Sequence, residues 1–134
     1  MSDVFHLQII SPSAVVLDTS VSMVEIPGSE GDFGVLPHHA PFFSMIRPGI
    51  IRAYHADGHR KSYFATSGYV DVSPEGTTIL SDHLQAMSDI SISDAQEALA
   101  AAQEAMAQAE TEHEKKNAGK LLAAAEALVF ALSH

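Results

Sequence analysis

The stretch GSEGDFGVLPHHAPFF, Gly28 to Phe43, sets three glycines, two prolines and two adjacent histidines in sixteen residues of a strand-like region. Glycines 28, 31 and 34 open backbone angles closed to other residues, and Pro37 and Pro41 fix φ. Together they predict a rigid, turn-rich segment in place of a floppy loop. On either side of it, out to about Leu84, apolar residues recur with period two in short runs. In VFHLQII, Phe5, Leu7 and Ile9 share one face while His6 and Gln8 point the other way. SMVEI, FFSMI, GIIRAYH, SYFATS, YVDVS and TTILS read likewise, with Asp57-Gly58 and Pro74-Glu75-Gly76 as hairpin turns. Many short strands so spaced predict an antiparallel β-sandwich or barrel.

From Ser93 the period changes to 3.6 and the composition to alanine, glutamate and glutamine. Ser93 and Gln96 have capping-box spacing, which predicts a helix starting near Asp94. Ala95, Leu99, Ala102, Met106 and Ala109 share a face of it, and a second face runs through Ala118, Leu121, Leu122, Ala125, Leu128, Val129 and Leu132. An antiparallel helical hairpin follows, with its turn expected between Thr111 and Gly119. The fold class is thus α+β by segments: a β-sandwich over 1–87, then a C-terminal helical hairpin over 88–134. An alanine offers one methyl, about 0.8 kcal/mol when buried, so an Ala-lined seam holds two persistent helices weakly.

Composition narrows the function. With no cysteine there is neither a disulfide framework nor a thiolate metal site. Seventeen acids against seven bases give a net charge of −10. That field repels nucleic acid and anionic lipid, which favours a protein partner. The N-terminus lacks a basic leader region and no apolar run reaches the ~18 residues of a membrane span, so direct membrane insertion is not expected. GxSxG and P-loop motifs are absent and the sandwich acids are scattered singly, so no catalytic residue and no cofactor is expected. Among eight histidines, His38-His39 near Asp32 and His55 with His59 are the best metal material. Two ligands do not close a site, and no physiological metal is expected.

A β-sandwich joined to an Ala-rich helical hairpin is an uncommon pairing, and it comes with a specific pattern. Gly28, Glu30, Gly31, Gly34, Pro37, His39, Ala40 and Pro41 fit G-x-E-G-x-x-G-x-x-P-x-H-A-P; Arg47-Pro48-Gly49 and Ser67-Gly68 follow. Over residues 4 to about 84 the chain closely resembles the epsilon subunits of bacterial F-type ATP synthases, equivalent to the mitochondrial delta subunit. The remainder resembles them in architecture. The resemblance implies a central-stalk rotor subunit that binds the gamma subunit and the c-subunit ring, couples proton-driven rotation to ATP synthesis and restrains ATP hydrolysis. It would be peripheral on the cytoplasmic side of the inner membrane. Candidate c-ring contacts are Ser29, Glu30, Gly31, Asp32, His38 and His39, with His39 expected to be packed and hydrogen-bonded. A regulatory stripe of Leu121, Leu128, Val129 and Leu132 would reach the alpha and beta subunits.

Some members of that family bind ATP through I/L-D-x-x-R-A at the first C-terminal helix. Asp94 and Ala98 fit it here, but Ser93 takes the Ile/Leu slot and Glu97 replaces the arginine. An anion where a triphosphate needs a cation argues against such a sensor. Two other readings stay open on sequence alone: a nucleotide-responsive switch, and a β-sandwich interaction module unrelated to the synthase.

Overall fold

The computed structural model describes residues 3–133. Two compact units divide between Met87 and Ser88. The first contains ten strands in two five-stranded sheets. β1 (Phe5–Ser11), β2 (Ala14–Val21), β5 (Phe42–Met45), β8 (Tyr69–Ser73) and β9 (Gly76–Leu80) form one sheet, in the order β2-β1-β9-β8-β5. β3 (Met23–Gly28), β4 (Gly31–Val35), β6 (Gly49–Tyr54), β7 (Arg60–Ala65) and β10 (Leu84–Ala86) form the other, ordered β10-β7-β6-β3-β4. Every pairing is antiparallel except β1 with β9, where Leu7 to Ile10 run alongside Thr77 to Leu80 in parallel.

Alternation decides which side of each strand meets the core. Leu7 and Ile9 are fully buried, as are Val24, Ile51, Ala53, Val70 and Ile79, and Phe5 packs at the edge of this cluster. Burying such side chains contributes roughly 1.5–3 kcal/mol each, so the sandwich has a core of its own. Gly68 shows how tightly it closes. Its φ is +132°, and a Cβ there would lie 2.1 Å from the carbonyl oxygen of Leu80, so no other residue fits without moving backbone.

The expected strands appear, and three more with them. β4 lies inside the segment read above as turns only: Phe33 and Val35 pair with Ile26 and Val24 and turn inward, and Gly34 and Asp32 take the outer side. β2 escaped because Ala14, Val15 and Val16 are all exposed and the register shifts between Ile9 and Ile10, which breaks the alternation. β10 spans three residues, too short to show a period.

The second unit is a helical hairpin of α1 (Ile92–Gln108) and α2 (Glu112–Ser133), preceded by a single 3-10 turn at Met87–Asp89. Its start differs from the expected one. Ser91 is the N-cap and its hydroxyl accepts the backbone N–H of Asp94 at 3.1 Å, so Ser93 already lies in the first turn. Ser91 and Asp94 repeat the same spacing two residues earlier, and the earlier pair wins because each added residue gains a backbone hydrogen bond. The turn also falls earlier than expected. Thr111 caps α2, accepting from Glu114 N at 3.1 Å while its hydroxyl donates to the Glu114 carboxylate. Gly119 is inside α2, where a Cβ would meet nothing within 4 Å. Ala95 and Ala102 on α1 and Ala118 and Ala125 on α2 are the buried alanines, in each helix seven residues apart. They make a seam of small side chains.

Candidate functional site

The predicted contact residues separate to two ends of the sandwich. Gly28 pairs with Gly31, so Ser29 and Glu30 are the exposed two-residue tip of the β3–β4 hairpin. The other end of β4 leads to Leu36 and the turn carrying His38 and His39. Five residues of strand at about 3.3 Å each hold the two groups roughly 15 Å apart. The two groups thus sit at opposite ends of β4.

The tip is fixed in position by the chain around it. Ser29 N donates to Met45 O at 2.9 Å and Arg47 N donates to Pro27 O at 3.0 Å. A bridge between Gly28 and Ile46 joins the two sheets at the same place. Asp32 forms an ion pair with Arg47, which ties the base of the hairpin to the segment before β6. Exposed as that pair is, it adds at most about 1 kcal/mol, and rigidity comes mainly from the backbone bonds. Glu30 makes no ion pair among the described residues and points its charge outward on a stiff mount.

At the opposite end, His38 has φ +67°, a conformation that side chains bearing a Cβ adopt uncommonly. Histidine is among the residues that adopt it more readily than most. His39 corrects an expectation: its Nδ1 lies 2.7 Å from Ala40 O, yet the side chain is exposed, with its ring edge-on to Phe42 at a centroid distance of 6.4 Å. The turn that holds it projects away from the core, so it is bonded without being packed. Between this turn and the β8–β9 hairpin lies a groove of about 520 Å³, walled by Phe5, His6, Leu36, Pro41, Pro74 and Glu75 among others.

One surface was missed in the sequence. Ser44 on β5 and Ile46 just after it turn inward, which leaves Phe43 and Met45 59% and 53% exposed. The Phe43 ring lies against Tyr69 of β8 with centroids 5.4 Å apart. Phe42, on the adjoining side, stands edge-on to Phe33 at 5.1 Å. An exposed apolar row on an edge strand is a candidate interaction surface. Its signal was present in FFSMI, where both alternating sets are largely apolar.

The helical unit hides most of the proposed stripe. Leu128 is buried, Val129 and Leu132 are half-buried, and Leu121 alone of the four is exposed. Asp94 sits in the first turn of α1 with its N–H capped by Ser91, and Ala98 and Glu97 are exposed. No cation from these described residues faces them in an ion pair. No helix is long and apolar enough to cross a membrane, and no group of three His, Asp or Glu side chains converges as a cation site, both among the described residues.

The chain thus combines a β-sandwich that has a braced hairpin tip and an exposed apolar edge strand with a C-terminal helical hairpin. Residues 4–87 match the family described as ATP synthase, Delta/Epsilon chain, beta-sandwich domain, and the chain belongs to that family. The ATP synthase epsilon chain of Maricaulis maris is 38% identical over 134 residues, covering 100% of both chains. That of Rhodospirillum rubrum is 33% identical over 131 residues, 98% of each chain. A chain in the mitochondrial ATP synthase OSCP/F1/c-ring structure of Euglena gracilis superposes with a TM-score of 0.87 at 22% identity, over 96% of this chain and 81% of that one. A chain of the Tetrahymena thermophila central stalk and c-ring gives 0.68 at 14% identity, over 98% of each. These two structural likenesses establish the fold.

Proposed function

We infer that this chain is a rotor subunit of the central stalk of an F-type ATP synthase. It binds the gamma subunit and the c-subunit ring, and it couples proton-driven ring rotation to ATP synthesis without performing chemistry itself. It is peripheral, on the cytoplasmic side of the inner membrane, and carries no cofactor. The observation that carries the reading is the Ser29–Glu30 tip, held to the second sheet by Ser29 N to Met45 O and by the Gly28–Ile46 bridge. Torque passes only through contacts that do not yield, and this tip is braced on both sides.

The ring contact is Ser29, Glu30 and Gly31, with Asp32 engaged chiefly in holding Arg47. His38 and His39, at the far end of β4, belong to a different contact. The exposed row of Phe43, Met45 and Tyr69 is the docking face for gamma, where apolar area and ring contacts supply affinity. Residues 88–134 act as the regulatory unit that restrains ATP hydrolysis, reaching the alpha and beta subunits through Leu121, Leu128, Val129 and Leu132. Since Leu128 is buried in the hairpin, that step requires the hairpin to open.

Cysteine cross-linking in the assembled synthase tests this reading. Glu30→Cys is expected to cross-link to cysteines in the polar loop of the c subunit, His39→Cys to give no such product, and Phe43→Cys to cross-link to gamma. A c-subunit product from His39→Cys with none from Glu30→Cys would overturn the assignment of ends.

A further inference from the structure

The β6–β7 hairpin carries an arrangement outside the candidate ring and gamma contacts. Tyr54 pairs with Arg60, and one step beyond them His55 N donates to His59 O at 2.8 Å. His55 and His59 are therefore directly opposed across the hairpin, with side chains on the same face. The loop between them is Ala56-Asp57-Gly58. Gly58 takes φ +90°, and the Asp57 carboxylate accepts the His59 N–H at 2.8 Å, which fixes the turn.

Two details of the imidazoles favour metal ligation. The His55 Nδ1 lies 3.3 Å from the His59 carbonyl oxygen, which only accepts, so the tautomer that makes this bond presents its lone pair at Nε2. A backbone carbonyl on the distal nitrogen is the usual support of a metal-bound histidine. Secondly, the two ring centroids are 5.6 Å apart. Two imidazoles on one tetrahedral ion, with metal–nitrogen bonds of ~2.0–2.1 Å, place their centroids about 5 Å apart. The rings thus stand near chelating distance before any ion arrives. His59 is exposed and His55 partly so, which leaves the site open to solvent.

Two ligands do not close a site, and the sequence alone predicts no metal; on this geometry we propose instead that His55 and His59 form an open two-nitrogen site for a divalent transition ion, Zn²⁺ or its neighbours, completed by water. Nitrogen donors select that class over Mg²⁺ or Ca²⁺, which take oxygen. Lys61, two residues beyond His59 on the same face, lowers the affinity, and Asp57, whose carboxylate accepts the His59 backbone N–H, carries the opposite charge in the turn. This site is independent of the rotor assignment and remains whether or not that assignment holds.

Zn²⁺ titration of the full-length protein tests it, by calorimetry and by NMR of the histidine rings. One saturable equivalent is expected, with the His55 and His59 ring signals shifting together. Loss of an outer-sphere partner weakens metal sites about 10–100-fold, so His55→Gln and His59→Gln, each removing a direct ligand, should weaken binding at least ~10-fold. A His38→Gln, His39→Gln double variant should bind as the parent does. Absence of saturable uptake below about 1 mM, unchanged affinity in both hairpin variants, or ring shifts at His38 and His39 instead would each overturn the proposal.

Discussion

The sandwich and the helical hairpin are built from opposite materials. In the first, Leu7, Ile9, Val24, Ile26, Ile51, Val70 and Ile79 are essentially inaccessible to solvent. In the second the buried set is Ala95, Ala102, Ala118, Ala125 and Leu128. Branched side chains each remove several methylenes from water, and an alanine removes one methyl. The sandwich gains its stability from interdigitated bulk, which makes it stiff. The helices take theirs from local propensity and from the caps at Ser91 and Thr111, so each can persist while the seam between them opens. A unit of bulky, interlocked side chains and a unit held by local helix propensity thus differ in the source of their stability, and the boundary lies between Met87 and Ser88, a few residues before the composition changes at Ser93.

The largest expected effect on this contrast is at Gly68. Gly68→Ala puts a Cβ against the Leu80 carbonyl in a positive-φ conformation and should destabilise the sandwich by about 3 kcal/mol or more. Urea unfolding followed at the tyrosines should show it, and α1 and α2 should keep their far-ultraviolet signal. Ile51→Ala should cost about 2–5 kcal/mol by the cavity it leaves. If both variants melt the helices along with the strands, the two units are not energetically separate.

One pH effect lies in the sandwich. Burial raises the Tyr63 phenol above its ordinary value of 10.0. The folded state then holds that proton longer than the unfolded chain, so the associated stability is intact below pH 10.0 and is lost as pH rises through the folded value. Tyr63→Phe should flatten the alkaline fall in stability measured by denaturant titration from pH 9 to 11.

Smaller effects lie in the helices. With Glu97 in the slot of a motif arginine, calorimetry should find no saturable ATP binding below about 1 mM. Gly119→Ala adds a methyl where nothing lies within 4 Å and should stabilise α2 by up to about 1 kcal/mol. A loss of stability there would mean that Gly119 has a packing role in the hairpin.

Period and punctuation made much of this legible. The sandwich strands whose alternation is clean, such as Phe5-Leu7-Ile9, were readable, as were the Asp57-Gly58 and Pro74-Glu75 turns. β4 was not, since glycines at 31 and 34 that suit a turn also fit a strand whose outer face needs no side chain. The parallel pairing of β1 with β9 was hidden as well, because alternation marks a face and says nothing of a neighbour. Missing β4 had a consequence for the site. Read as a single loop, Ser29 to His39 looked like one contact surface, and the strand within it sends the two groups to opposite ends. In the hairpin, Ser91 and Ser93 both meet the capping rule, and only competition between starts selects Ser91.

The most direct test of a rigid docking unit joined to a separable regulatory one is a truncation after Met87. The account predicts that residues 1–87 fold, bind gamma and the c ring with the affinity of the full chain, and leave ATP hydrolysis by the assembled complex less restrained. Lys115, Lys116 and Lys120 all changed to Ala should release far less activity than the truncation, because restraint rests on the apolar residues of α2. A truncated protein that folds but no longer binds gamma would contradict the account.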